Sequence, residues 1–333
     1  MKPFVATTEH PDRAISRLIS LLERGQQEGV QRIKKLYPHC GRAHVIGITG
    51  PPGSGKSCLV SALIGAFRAR GKSVGVLAVD PSSPFTGGAI LGDRDRMGAF
   101  AADPEVFIRS FATRGSSGGL AAVVNDAVDV LDAFGKEVIL VETVGVGQIE
   151  LDIAQLAHTV LLVLVPGYGD SLQAMKAGIM EIGDVLVMNK ADQPGADRAV
   201  NDLCFQHPLK FGATEYKCSR YNAQHWGVPV VKTCALKNTG LDDLVFLASE
   251  HYAFLQRQDL LSEKNRQRRK KQFLDILSHS IRNSFLTVLK TDPDLQRWTS
   301  KIETLDIDPY TAAEKVIQFI QFAREAAVNT KHS

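Results

Sequence analysis

Long hydrophobic runs are missing from the chain. The longest purely aliphatic stretch is Val160 to Val165, far below the roughly 20 residues a membrane-spanning helix needs. The first ten residues, Met1 to His10, carry no apolar core, so no secretory signal is expected. Cysteine is scarce: five in 333 residues, with no C-x-x-C pair. An odd, scattered set argues against a disulfide framework and fits a reducing cytosol. Nor does one sign of charge dominate. Thirty-nine Lys and Arg against 36 Asp and Glu leave +3, too small a bias for nucleic acid or an anionic membrane to be the main partner. With 44% hydrophobic and 23% charged residues, the composition is that of an ordinary globular protein. A soluble cytoplasmic protein is expected, binding neither nucleic acid nor membrane.

What is present divides the chain into three. Residues 11–37 carry Ile15, Leu18, Ile19, Leu22, Val30, Ile33 and Leu36 at helical spacing, which predicts two helices broken near Gly25 and ending before Pro38. From His44 the texture changes to short β-branched runs at 44–49, 73–79, 106–111, 137–142, 159–165, 184–188 and 229–233. Runs that are apolar on both faces and separated by helical stretches are the mark of a parallel sheet with crossover helices. The expected fold is therefore α/β, a Rossmann-like, mostly parallel sheet over 44–256, with a helical extension at 1–43. The remainder, 257–333, has no strand signal. It reads as a long helix to Thr291 and another after Pro309. Its apolar positions, Phe273, Ile276, Leu277, Ile281 and Phe285, lack partner surface within the tail and predict a homodimerisation arm.

The strand at 44–49 runs into Gly50-Pro51-Pro52-Gly53-Ser54-Gly55-Lys56-Ser57, a full G-x-x-x-x-G-K-[ST] match. Glycines let backbone N–H groups turn inward around phosphate oxygens, and the following helix adds its positive end. Lys56 supplies a cation to the β and γ phosphates, and the Ser57 hydroxyl can ligate Mg²⁺. Chance produces the pattern in a chain of this length with odds of about 1%, and its place between strand and helix lowers them further. Cys58 follows as a nucleotide-contacting candidate whose side chain suits a small core position.

The base is read further on. Asn189-Lys190-Ala191-Asp192 follows the run at 184–188. The Asp192 carboxylate can accept from the guanine N1–H and 2-amino groups. Adenine offers neither donor in that arrangement, and a carboxylate left unpaired is costly. Lys190 can lie across the base plane and Asn189 can tie loops together. Thr233-Cys234-Ala235-Leu236, after another predicted strand, matches the loop whose backbone N–H supports the guanine O6.

The run at 137–142 ends in Glu142-Thr143-Val144-Gly145-Val146-Gly147-Gln148. GTPases commonly carry D-x-x-G and a water-positioning Gln here. Glu142 replaces the Asp and Val146 the Gln. Asp80 closes the second run and is followed by P-S-S-P-F-T-G-G-A-I-L-G-D, which ends at Asp93. Three carboxylates after strand ends beside a phosphate loop suit a hard, oxygen-ligated cation. With these motifs and G-D-S-L-Q-A-M-K at Gly169–Lys176, residues 44–206 closely resemble the MeaB/ArgK GTPases, the family of the methylmalonic aciduria type A protein. Segment 207–228 does not share the family pattern.

The resemblance implies a GTPase that binds GTP or GDP with Mg²⁺. It implies a chaperone that gates adenosylcobalamin loading into a B12-dependent acyl-CoA mutase, most often methylmalonyl-CoA mutase, and works as a homodimer through C-terminal helices. Carried over residue by residue, Lys56, Asp80 and Glu142 become the catalytic set and Ser57, Asp80, Asp93 and Glu142 surround the metal. Gly167–Lys176 becomes the third switch loop, which passes nucleotide state to the mutase.

Two rival functions are weaker. An ATP-dependent kinase of the amino-acid-transport type is opposed by Asn189–Asp192 and by the lack of an H-R-D-type loop. A metal-insertion GTPase would need a Cys/His cluster. His39 and Cys40 are adjacent, so their side chains diverge, and His44 brings no second ligand pair. The basic run Arg266–Lys271 is expected to be a solvated helix face.

Overall fold

The structure, a computed structural model, describes residues 11–81, 98–100, 102–113, 119–143, 149–167, 180–206 and 225–329. The chain divides into two compact units, Met1–Gln272 and Phe273–Ser333.

The first unit is built on seven parallel strands: β1 (His44–Thr49), β2 (Val74–Pro81), β3 (Val106–Thr113), β4 (Val138–Thr143), β5 (Thr159–Leu164), β6 (Val185–Met188) and β7 (Val230–Lys232), ordered β3-β2-β4-β1-β5-β6-β7. Each lies within two residues of a predicted run. Every residue of β1, β4, β5 and β6 is buried, as expected of strands covered on both faces. Alternation along β1 feeds two cores. Ile46 and Ile48 join Leu59, Leu63 and Ile64 of helix Lys56–Arg68 and Leu244 and Ala248 of helix Leu241–Arg257. Val45 joins the opposite layer with Ile15 and Ile19 of helix Pro11–Glu23, Val128 and Leu131 of helix Gly119–Ala133, and Ile153 of helix Ile149–Leu156. The predicted N-terminal helix pair is Pro11–Glu23 and Gln27–Leu36, parted at Gly25 with φ 64°.

The last turn of this unit corrects one expectation. Helix Leu260–Thr291 starts only after a break at Asp259, which is left-handed at φ 56°. Its basic run is a solvated face only in part: Arg266, Gln267, Arg269 and Lys270 are exposed, but two of its cations turn inward. Arg268 is 7% exposed and donates to Asp129 and Asn125 on helix Gly119–Ala133, while Gln272 donates to Asp126 and Asp129. Lys271 pairs with Asp152 and the Arg269 guanidinium lies over the Tyr37 ring. The acids that call these cations inward sit about 140 residues away, so a local charge pattern could not show them.

The second unit holds the rest of that helix with helices Pro293–Glu303 and Pro309–Asn329. Pro293–Glu303 was not expected. It is started by Asp292, whose carboxylate accepts from Asp294 N and Leu295 N, with Pro293 in the first turn, a favoured pairing of cap and proline. Leu295, Ala312 and Val316 are buried within the unit, but Phe273, Ile276, Leu277 and Ile281 are exposed and Phe285 half-buried. Among the described residues no helix is long and apolar enough to cross a membrane.

Candidate functional site

Nine of the expected site residues, Gly50 to Cys58, gather where β1 hands over to helix Lys56–Arg68. Gly50, Gly53 and Gly55 have φ of 146°, 77° and 85°, backbone that side-chain-bearing residues rarely adopt. A Cβ on Gly50 would lie 2.2 Å from the Val163 carbonyl oxygen, and one on Gly55 2.6 Å from Asn189 Nδ2. Glycine is thus required twice over, by dihedral and by space. Lys56, 6% exposed, opens the helix and donates from Nζ to the carbonyls of Gly50 at 2.8 Å and Pro51 at 2.9 Å. The Ser54 hydroxyl is fully buried without a hydrogen-bond partner among the described residues. A buried cation, a partnerless hydroxyl and a helix N-terminus around a glycine turn fit a phosphate group. Cys58 is half-buried against the neighbouring core.

β4 lies beside β1 with Glu142 in register with Ile48. That register brings the buried Glu142 carboxylate to Ser57, whose hydroxyl donates to Oε1 at 2.7 Å. Thr143 Oγ1 donates to Thr49 Oγ1 at 3.0 Å and ties the two strand ends together. Asp80 stands at the end of β2, two residues past Ala78, the register partner of Glu142. An acid-bearing strand therefore ends on the flank of Glu142. The oxygen donors Ser57 and Glu142 suit a hard divalent cation. Among the described residues no group of three or more His, Cys, Asp or Glu gathers to hold a metal by itself. The Cys40 thiol donates to Asp129 O and the His44 ring bonds the Thr159 hydroxyl. Asp93, the loop 144–148 with Val146, and switch candidates 168–176 lie outside the described residues.

The base-reading segment is joined to the phosphate loop. Asn189, 1% exposed, donates to Ser54 O at 2.9 Å and accepts on Oδ1 from the Thr233 hydroxyl and the Ala235 N–H, each at 3.2 Å. Lys190, at φ 55°, donates to Gly53 O at 2.9 Å. One buried amide thus holds three predicted motifs together. Cys234 and Ala235 are buried whereas Leu236 is 85% exposed. Asp192 carries a partner that the motif did not announce, the Lys237 ammonium at 3.0 Å from Oδ2. That ion pair, and next the Cys234 thiol, hold the Asp192 carboxyl below the usual carboxylate range. Lys237 closes the short turn Ala235–Lys237. A cation three residues after Cys234 was the available signal.

A parallel sheet with a phosphate loop, a strand-end acid on the loop serine and an Asn-Lys-x-Asp segment defines a P-loop GTPase. The chain belongs to the MeaB GTPases: the family profile described as methylmalonyl-CoA mutase-associated GTPase MeaB matches residues 13–290. A relative from Pyrococcus abyssi that carries a GTPase name is 46% identical, over 92% of this chain and 93% of its own length. GTPase ArgK of Escherichia coli is 30% identical over 93% of this chain and 92% of its own. The mitochondrial methylmalonic aciduria type A homolog of Caenorhabditis elegans is 31% identical over 86% of this chain and 71% of its own. Among solved structures, one described as LAO/AO transport system kinase shares the fold, with TM-score 0.64 and 24% identity over 94% of each chain. The chain is a GTPase, and guanine nucleotide is its ligand.

Proposed function

We propose that this GTPase serves a B12-dependent acyl-CoA mutase, with methylmalonyl-CoA mutase as the partner its family description names, by gating adenosylcobalamin loading and protecting the loaded enzyme. The observation that carries this reading is the match to a mutase-associated family over residues 13–290, supported by the name of the nematode relative. In the proposed cycle Lys56 and the amides of Gly50–Gly55 hold the phosphates, and Asp192 reads guanine with Asn189 and Lys190 as its frame. Ser57, Glu142, Asp80 and Asp93 would surround Mg²⁺, which when bound neutralises phosphate charge. Glu142 already accepts from Ser57, so the two oxygens stand close enough to share one ion.

Val146 stands in the sequence where many GTPases carry a water-orienting Gln, so the isolated protein is expected to hydrolyse GTP slowly. A mutase would supply the missing order, with Gly167–Lys176 carrying the signal. The exposed apolar residues Phe273, Ile276, Leu277 and Ile281 support a homodimer through the C-terminal helices. The test is phosphate release with and without the cognate mutase, loaded and empty, alongside light scattering of the GTPase alone. Stimulation by the mutase and a two-chain mass are expected. Turnover that no mutase changes would refute the chaperone reading, and a monomer would refute the dimer.

A further inference from the structure

We propose that Lys237 is a positioning residue for guanine recognition: by gripping Asp192 it fixes the carboxylate that reads the base. The inference rests on the guanine reading of Asp192 and extends it to a residue outside the nucleotide motifs.

Three observations carry it. The first is the contact, Lys237 Nζ to Asp192 Oδ2 at 3.0 Å. The second is the rigidity of the element that presents Lys237. Cys234 and Thr239 exchange two backbone hydrogen bonds of 3.1 and 3.2 Å across the turn Ala235–Lys237. Asn238 ends that turn in the left-handed region at φ 54°, and a Cβ on Gly240 would lie 2.0 Å from Lys232 O. Thr233 and Ala235 are further held by Asn189. Only the side chain of Lys237 is left with freedom, and its root is fixed. The third observation is a division of labour between the neighbouring lysines. Lys190 is engaged with Gly53 O at 2.9 Å, so it braces the phosphate loop, whereas Lys237 serves the carboxylate.

A lone-pair count makes the arrangement compatible with base binding. An ionised carboxylate offers about four acceptor sites. Lys237 and the Cys234 thiol both donate to Asp192, which leaves room for the two donors of guanine, N1–H and the 2-amino group. An aspartate free to rotate would lose side-chain entropy on meeting the base. One already clamped loses less, and its charge is maintained by the adjacent ammonium.

The experiment is titration of the full chain with a ribose-labelled fluorescent GDP, for the parent, Lys237→Met, Lys237→Arg and Asp192→Asn. Because the pair is partly exposed, Lys237→Met is expected to weaken GDP by a modest factor, about three- to fivefold. Lys237→Arg should restore most of the affinity, and the gap should narrow at about 1 M salt, where the Debye length is near 3 Å. In the Asp192→Asn background, with xanthosine diphosphate as ligand, adding Lys237→Met should change affinity less than about twofold, since the pair no longer exists. A purely structural role in the turn would cost the same factor in both backgrounds and would overturn the proposal. So would parent-like or tighter GDP binding by Lys237→Met. Failure of the underlying reading looks different: Asp192→Asn would itself leave the preference for GDP intact.

Discussion

The two ends of the central sheet use similar polar residues to opposite effect. At the carboxyl ends of β1 and β4, glycines hold left-handed backbone, Ser54 buries a hydroxyl without a partner among the described residues, and Lys56 lies folded onto loop carbonyls. At the amino ends, polar groups are satisfied by one another. His44 Nε2 and His251 Nδ1 both lie 2.9 Å from the Thr159 hydroxyl. His158 accepts from Val45 N–H on Nδ1, so its Nε2–H donates to Asn265. Asp132 gathers the backbone N–H groups of Gly41, Arg42 and Ala43, and Asp184 accepts from Val160 N–H while facing His251. One end is built around groups that a ligand completes. The other is closed on itself. Substitutions at the first end should therefore be read in nucleotide chemistry, and at the second in stability.

The largest effect is expected at the open end. Lys56→Ala removes the motif's cation from the phosphates and should lower GTP hydrolysis by roughly 100-fold or more. Steady-state phosphate release measures this, with urea unfolding to show that the fold survives. Hydrolysis at the parent rate would remove Lys56 from the reaction and break the contrast between the ends.

Acid is the next probe, and it acts on the closed end. Burial lowers the pKa of His44 well below its ordinary value, and those of His158 and His251 to about 4. These rings are neutral in the folded state, while the unfolded chain takes up protons below about 6.5. Stability is therefore intact above pH 6.5 and lost as pH falls from there to about 4. Each of the latter two rings costs on the order of 3 kcal/mol across that window. Asp126 works against them. Burial raises its carboxyl to about 6, so the folded state gains protons there first, and acid favours folding by a similar amount between about 6 and 4. The net expectation is a loss of on the order of 3 kcal/mol or more by pH 4.5. Urea midpoints at pH 7.5, 6 and 4.5 should fall in that order. A flat profile would mean that the closed end is not closed.

Much of this was legible in the sequence, for physical reasons that differ by element. The seven strands announced themselves because strands covered on both faces must be apolar throughout, as Val160–Leu164 are. The phosphate loop and Asn189–Asp192 were legible because their chemistry is confined to one stretch of chain. What stayed hidden was long-range. Arg268 looked solvated because its partner Asp129 is far away in the chain. The histidines of the closed end were hidden likewise: His44 and His251 belong to different elements and meet at the Thr159 hydroxyl. Helix Pro293–Glu303 was missed although Asp292-Pro293 spells its start. Lys237 was missed because its meaning depends on where Asp192 sits.

Base choice ranks third. Asp192→Asn should weaken GTP by about 2 to 3 kcal/mol, the scale of two charge-assisted hydrogen bonds. It should favour xanthosine triphosphate, whose 2-carbonyl accepts from the new amide. Competition binding with the two nucleotides decides the matter. An unchanged preference for GTP would move the base reader to another part of the open end.

The smallest expected effect is the control that sharpens the comparison. Lys72 and Glu137 precede β2 and β4, at the amino ends, and pair at 2.7 Å with both side chains about half exposed. Geometrically the pair resembles Lys237–Asp192 at 3.0 Å. If contact geometry alone governed consequence, the two would matter equally. Exposed ion pairs contribute about 0 to 1 kcal/mol, because water already solvates both charges. Glu137 also accepts from the Ser73 N–H, so it keeps a partner when the lysine is lost. Lys72→Met should therefore shift the urea midpoint by less than about 0.5 kcal/mol equivalent. It should leave GDP affinity and hydrolysis unchanged, because no group at this end faces the nucleotide. Running it beside Lys237→Met under the same buffer separates position from pairing. Equal losses of GDP affinity from the two variants would show that surface charge, and not the end of the sheet, is what the nucleotide senses.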